Sequence, residues 1–260
     1  MTPAERQRER SLIALALRAA LLPMFRVGAR PKPSPAQWSA MVEAAYPAVY
    51  RARMDSWRLA GRAYRDERQR VTGESGPIEF PRRNYPPGAL DRALRETVKP
   101  KLDALDEDDD VPQIIIEEAV DVAERHAKDA GRQAQIDTAR HDRRALGYAR
   151  RLTGAYNCAF CTMLASRGPV YRSADAALIR HEDRGRSASA TGEPFHDRCD
   201  CEVVPVFDAT DWEGRDQYLE LEKLWQEHSN ASLQDWRRYL DKRREDGAQE
   251  PAAEPATEAA

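Results

Sequence analysis

The stretch WSAMVEAAYPAVYRARMDSWRLAGRAY, Trp38–Tyr64, decides the fold class. Its apolar residues, from Trp38 and Met41 through Val49 and Tyr50 to Met54, Trp57 and Tyr64, return every three or four positions. That period places them along one side of an α-helix. A buried helix face is the expected use of this aromatic stripe, ahead of a binding platform. Pro47 lacks an amide hydrogen and its ring crowds the preceding turn, which predicts a kink.

Working outward, RPKPSP at Arg30–Pro35 is a break, because its prolines forbid a helix interior and hold their predecessors extended. Before it lies SLIALALRAALLPMF, Ser11–Phe25. Arg18 interrupts this run and no clear cleavage site follows, so it reads as neither a signal peptide nor a membrane span. Leu12, Leu15, Ala16, Ala19 and Leu22 recur at helical spacing and predict the packed stripe of an amphipathic helix.

On the other side, GESGPIEFPRRNYPPG at Gly73–Gly88 carries enough Gly and Pro for a linker or an ordered loop. Asp110, ahead of Val111-Pro112, has the chemistry of a helix start. The acidic run before it reads as solvated, since the glycine and spaced ligands of an EF-hand loop are missing. His126 and His141 read as ordinary helix-surface residues. SLQDWRRYLDKRRE begins with Ser232 three residues before Asp235, close to a capping box, and places Leu233, Trp236 and Leu240 on one face. Gly247–Ala260 lacks core-forming residues and reads as a disordered acidic tail.

Composition agrees with a mostly helical chain. Of 260 residues 33% are charged and only 7% aromatic, which disfavours one large apolar core and favours helix over strand. The net charge of −3 hides an asymmetry, with 19 Lys+Arg against 10 Asp+Glu in residues 1–100 and an acidic excess thereafter. A basic first half suits nucleic acid or an acidic protein surface, although most of these arginines fit solvated helix faces. There is no internal repeat.

All four cysteines fall in two strings, NCAFC at Asn157–Cys161 and HDRCDC at His196–Cys201. C-x-x-C presents two thiols from one turn, and the second string adds three donors. Cys158, Cys161, His196, Cys199 and Cys201 thus compete for the four tetrahedral seats of one ion. Zn2+ is the expected occupant, one per chain, and four Cys/His seats leave no open position, so the site would be structural. Cys158 and Cys161 are expected ligands together with two of His196, Cys199 and Cys201.

Three other readings compete. Disulfides need an oxidising compartment, which no clear secretion signal supports. A thioredoxin-like pair needs a βαβ setting that is not apparent. A zinc deaminase needs H-x-E upstream of P-C-x-x-C, whereas here the histidine lies downstream and the catalytic glutamate is absent. Between the strings, RGPVY reads as a turn into a short strand, EVVPVF at Glu202–Phe207 as a second strand, and His181 as a loop residue. A bound metal contributes on the order of 10 kcal/mol to such a unit, enough to replace the core it lacks. The fold expected is mainly α with a small α+β zinc-stapled module. Its segments are helical residues 1–72, a linker 73–88, a helical segment 89–150, the module 151–207, helices 208–246 and a tail 247–260.

CAFCTMLASRGPVY and, after a polar loop, FHDRCDCEVVPVF resemble the C-x-x-C…H-x-x-C-x-C signature of MuF-like head morphogenesis proteins of tailed bacteriophages, the minor capsid proteins of actinobacterial phages in particular. WRLAGRAYRDERQR, Trp57–Arg70, is similar to the helical segment preceding that motif. The likeness is specific over about residues 154–207, looser over 38–70 and absent from the tail. It implies a virion protein at the portal or capsid interior, acting during head assembly in the host cytoplasm. Its implied partners are the portal protein and other capsid or scaffold proteins, with contact to packaged DNA possible and no membrane. The sequence holds no catalytic constellation, so an enzyme is not expected. The rival reading is a zinc-ribbon-like nucleic-acid-binding regulator, against which the acidic residues of the module count.

Overall fold

A computed structural model of the chain describes residues 1–153, 157–169 and 201–247. Eight helices and two strands lie among them. Helices α1 (Pro3–Gly28), α2 (Pro35–Thr72), α3 (Pro87–Thr97), α4 (Lys99–Asp103) and α5 (Gln113–His141) precede strand β1 (Gly147–Arg151). Helix α6 (Ala159–Ala165), strand β2 (Glu202–Val206) and helices α7 (Arg215–His228) and α8 (Leu233–Glu245) follow. The protein is mainly α, as composition and period predict. Helix α2 runs through Pro47, and α5 starts just after Pro112, where the missing amide hydrogen costs nothing.

The chain divides into two compact units. The first comprises Arg8–Ala60 and Arg82–Gln133, and the second Met1–Gln7, Gly61–Pro81 and Ala134–Ala260. Each has its own apolar core.

In the first unit, Leu17, Leu21 and Phe25 of α1 meet Trp38, Ala45 and Val49 of α2, Leu90 and Leu94 of α3, and Val120 and Ala123 of α5. Full burial of each large side chain is worth about 1.5–3 kcal/mol. Trp38 donates its indole hydrogen to Asp91 Oδ1 at 2.6 Å, and the Arg95 guanidinium lies over its ring. Gly131 lets α5 approach α2, because a Cβ there would sit 2.7 Å from the Ser56 carbonyl oxygen.

Two expectations are corrected in this unit. The packed stripe of α1 is Leu17, Leu21 and Phe25, whereas Leu12 and Leu15 are exposed. Ser11–Phe25 is apolar nearly all round, so period alone does not choose between its faces. As a 26-residue helix, α1 is long and apolar enough to cross a membrane by length and composition. Its Leu17, Leu21 and Phe25 pack in the core, and Arg18 Nη1 reaches Asp121 Oδ1 at 3.0 Å. His126 is buried, not a surface residue, with its ring 5.6 Å from that of Tyr85. His141 is exposed, as expected.

In the second unit, β1 and β2 form an antiparallel pair in which Gly147 faces Val206 and Arg151 faces Glu202. The β-prone EVVPVF is indeed a strand. Its partner GYARR was expected within a helical segment, since Ala and Arg favour helix, and only the pairing makes it extended. Both strands are buried on both faces. Tyr148 and Val203 face a core shared with α6, α7 and α8, while Ala149, Val204 and Val206 face Trp212. Helix α8 starts as predicted, Ser232 accepting from the Asp235 amide, and it buries Trp236 and Leu240. RGPVY beyond Pro169, His181 and the tail beyond Gly247 lie outside the described residues.

Candidate functional site

Cys158 is the N-cap of α6, in extended backbone with its side chain turned toward the first turn. There its Sγ accepts the Cys161 amide hydrogen at 3.3 Å. Cys161 is fully buried and Cys158 half-buried, both in the core that contains Cys201. Three of the five predicted ligands thus belong to one cluster, although Cys201 lies far along the chain. No disulfide joins these three. His196 and Cys199 lie outside the described residues. Among the described residues, no three His, Cys, Asp or Glu side chains are grouped so as to hold a metal ion.

Two features that sequence reasoning missed shape the thiol cluster. The first is Arg150, 2% exposed, whose Nη1 donates to Cys201 Sγ at 3.2 Å. Arg150 and the Cys161 amide thus each hold one sulfur in place, those of Cys201 and Cys158. Thiols are of the donor type that binds zinc, but among the described residues they are not grouped to hold an ion. No signal in GYARR announces the role of Arg150, because it follows from alternation along β1. Arg150 takes the side of Cys201, and Arg151 takes the other.

The second is α8, which fixes the cysteine turn. Trp236, 0% exposed, donates its indole hydrogen to Thr162 Oγ1 at 2.8 Å, and Thr162 in turn bonds the Cys158 carbonyl oxygen at 3.2 Å. Arg244 donates to the carbonyl oxygen of Asn157. Beside β1, the Gln217 amide pairs with both backbone groups of Leu152, at 2.8 and 3.3 Å, extending the ladder by one side chain.

On the opposite strand face lies a buried ion cluster. Arg151 bonds Glu202 and Glu213, Arg6 bonds Glu213, and Arg6 Nε stands 3.9 Å from Glu202 Oε1. Two guanidinium groups thereby balance two carboxylates out of water. This arrangement braces the strand pair and brings the N-terminal segment onto β2. Asp142, Tyr64 and Arg68 form a further group, with the Tyr64 hydroxyl 3.1 Å and Arg68 Nε 3.0 Å from one Asp142 oxygen. Burial and the neighbouring carboxylate push the Tyr64 hydroxyl well above the ordinary tyrosine range, so it stays a proton donor.

Comparison with known proteins gives consistent matches. The family model described as VG15 protein matches residues 4–228. The Gene 15 protein of Mycobacterium phage D29 is 29% identical over 216 residues, covering 75% of this chain and 76% of the relative. That of Mycobacterium phage L5 is 29% identical over 224 residues, covering 75% and 74%. No solved structure matches.

Proposed function

Because the chain belongs to the VG15 protein family and is similar to Gene 15 proteins of mycobacteriophages, we propose that this bacteriophage protein is a minor capsid protein of head morphogenesis. The observation that carries the reading is the span of the family match, which takes in both helical parts and both cysteine strings. The MuF-like resemblance of those strings supplies the finer role. The protein would act by docking: its helices recruit it to the portal protein or to capsid and scaffold surfaces, and the cysteine module holds the docking shape. Zn2+ would be that module's staple, held by Cys158 and Cys161 with two of His196, Cys199 and Cys201. Bound there, the metal would tie chain segments together and supply no reaction chemistry.

The test is mass spectrometry of purified phage heads, with portal pull-down by the tagged chain. The chain is expected in heads at low copy number and with the portal. Its absence from heads, together with salt-dependent DNA binding in the lysate, would favour a zinc-ribbon regulator. Metal analysis of protein purified under reducing conditions is expected to give about one zinc per chain, lost in four of the five single ligand variants. Metal-free protein with paired thiols would overturn the zinc assignment.

A further inference from the structure

Helix α1 has two apolar faces, and the core uses one of them. Leu12, Leu15, Ala16, Ala19, Pro23 and Val27 return at helical spacing along the other, and all six are exposed. Leu12, Leu15 and Val27 leave 56%, 62% and 71% of their surface in water. A single exposed leucine is ordinary, but a continuous apolar row marks a surface that another molecule covers.

The row is bracketed by charge. Arg8 and Arg26 lie five turns apart, about 27 Å along the axis, and so stand on the same edge of the helix. Both are exposed, and neither has a carboxylate partner among the described residues; Arg26 donates to the uncharged Gln113 side-chain oxygen at 3.4 Å. Residues 8–32 carry six basic side chains against one acidic, Glu9, which is engaged within the protein. The apolar row therefore ends in positive charge on both sides.

That pattern selects among occupants. Laid head to tail on a second copy, the row would set Arg8 against Arg26, and laid in parallel it would set Arg26 against itself, so like charges oppose both pairings. A wide anionic bilayer is opposed by the exposed acidic run Asp106–Asp110 near the C-terminal end of α1, where Asp106 lies 3.5 Å from Lys32. A single helix, about 10–12 Å across, is narrow enough to lie along the row alone. We infer that the exposed face of α1 docks an amphipathic helix of a partner protein, its apolar side on Leu12, Leu15 and Val27 and a carboxylate near each of its ends on Arg8 and Arg26. The inference rests on the docking role proposed above and narrows it to one surface.

The test is fluorescence anisotropy of the full chain with a labelled helical peptide of about 22 residues, Leu and Ala along one side and a Glu at each end, five turns apart. Saturable binding is expected. Leu15→Asp should weaken it about tenfold or more, since this leucine is buried only in the complex. Arg8→Glu with Arg26→Glu should lose the Glu-ended peptide and gain its Lys-ended counterpart. Leu219→Asp, at an exposed leucine of α7, should change nothing, and thermal melts of all variants show whether they fold. In the portal pull-down, excess peptide should release the captured portal or scaffold protein. The inference fails if neither peptide binds, if the Lys-ended peptide binds the parent as tightly as the Glu-ended one, if Leu15→Asp binds as the parent does, or if the captured protein stays bound in excess peptide. It fails also if Leu15→Asp spares the peptide and abolishes instead a dimer in sedimentation or binding to phosphatidylglycerol vesicles, which assigns the face to a second copy or to lipid. Absence of the chain from heads would remove the proposed role and leave the peptide result standing, so the two readings fail separately.

Discussion

His126 couples the first unit to pH. Its ring is buried against Tyr85; burial, then Arg125 and Arg53, push its pKa down to about 3. In the unfolded chain the same ring titrates near its ordinary value of 6.5. Between those values the unfolded state takes up a proton that the folded state refuses. The contribution of His126 to stability is therefore complete above pH 6.5 and lost progressively as pH falls toward 3, with a slope of up to about 1.4 kcal/mol per pH unit. Urea unfolding between about pH 7 and 5.5, above the range where most carboxylates protonate, should show this decline, and His126→Phe should flatten it. Equal slopes in parent and variant would remove His126 as the cause. The burial was illegible in the sequence, because ERHAKD is polar and the ring that covers His126 comes from the Pro/Gly-rich stretch at residues 73–88. The cysteines show the converse. C-x-x-C spacing alone announced Cys158 and Cys161 as a pair, since geometry within one helical turn is local.

At the scale of elements, the same division between local and distant information recurs. Helices α2 and α8 were legible from period and from the Ser232 cap, and β2 from its valines. Strand β1 was not, because its residues favour helix and its conformation comes from β2 and from Gln217. Nor was the buried face of α1, where two apolar stripes compete and packing chooses. Strand pairing has its own energetic test in the buried ion cluster. Removing one carboxylate there strands a guanidinium in a water-poor site, which costs about 3–5 kcal/mol. Glu202→Ala is expected to lose that much in denaturant unfolding, through Arg151 and Arg6. A loss below about 1 kcal/mol would mean that solvent reaches the cluster and screens it.

Across the whole molecule, the two cores give the zinc proposal a control within one chain. If a metal staples the cysteine module, a strong chelator should abolish amide-exchange protection in β1, α6 and β2. Protection around Val49, Leu94 and Val120 of the first unit should persist. Unchanged protection of α6 in metal-stripped protein would reject the staple. Local patterns thus revealed the fold class and the thiol pair, while the partition into two units was hidden, because each unit is assembled from separate stretches of chain.

That partition also sets an order of events on the ribosome. Every residue of the first unit has been synthesised once Gln133 is added, so its core can close early. The second unit already owns Met1–Gln7 and Gly61–Pro81 at that moment, but Trp236 and Leu240 are still unmade. At about 5–20 residues per second, these early segments wait roughly 5–20 s for their partners. Arg6 has neither Glu202 nor Glu213 to meet until well over half of that interval has passed. The nascent chain thus carries one finished body and two orphaned fragments, a state in which chaperones or an early-binding assembly partner would find their opening.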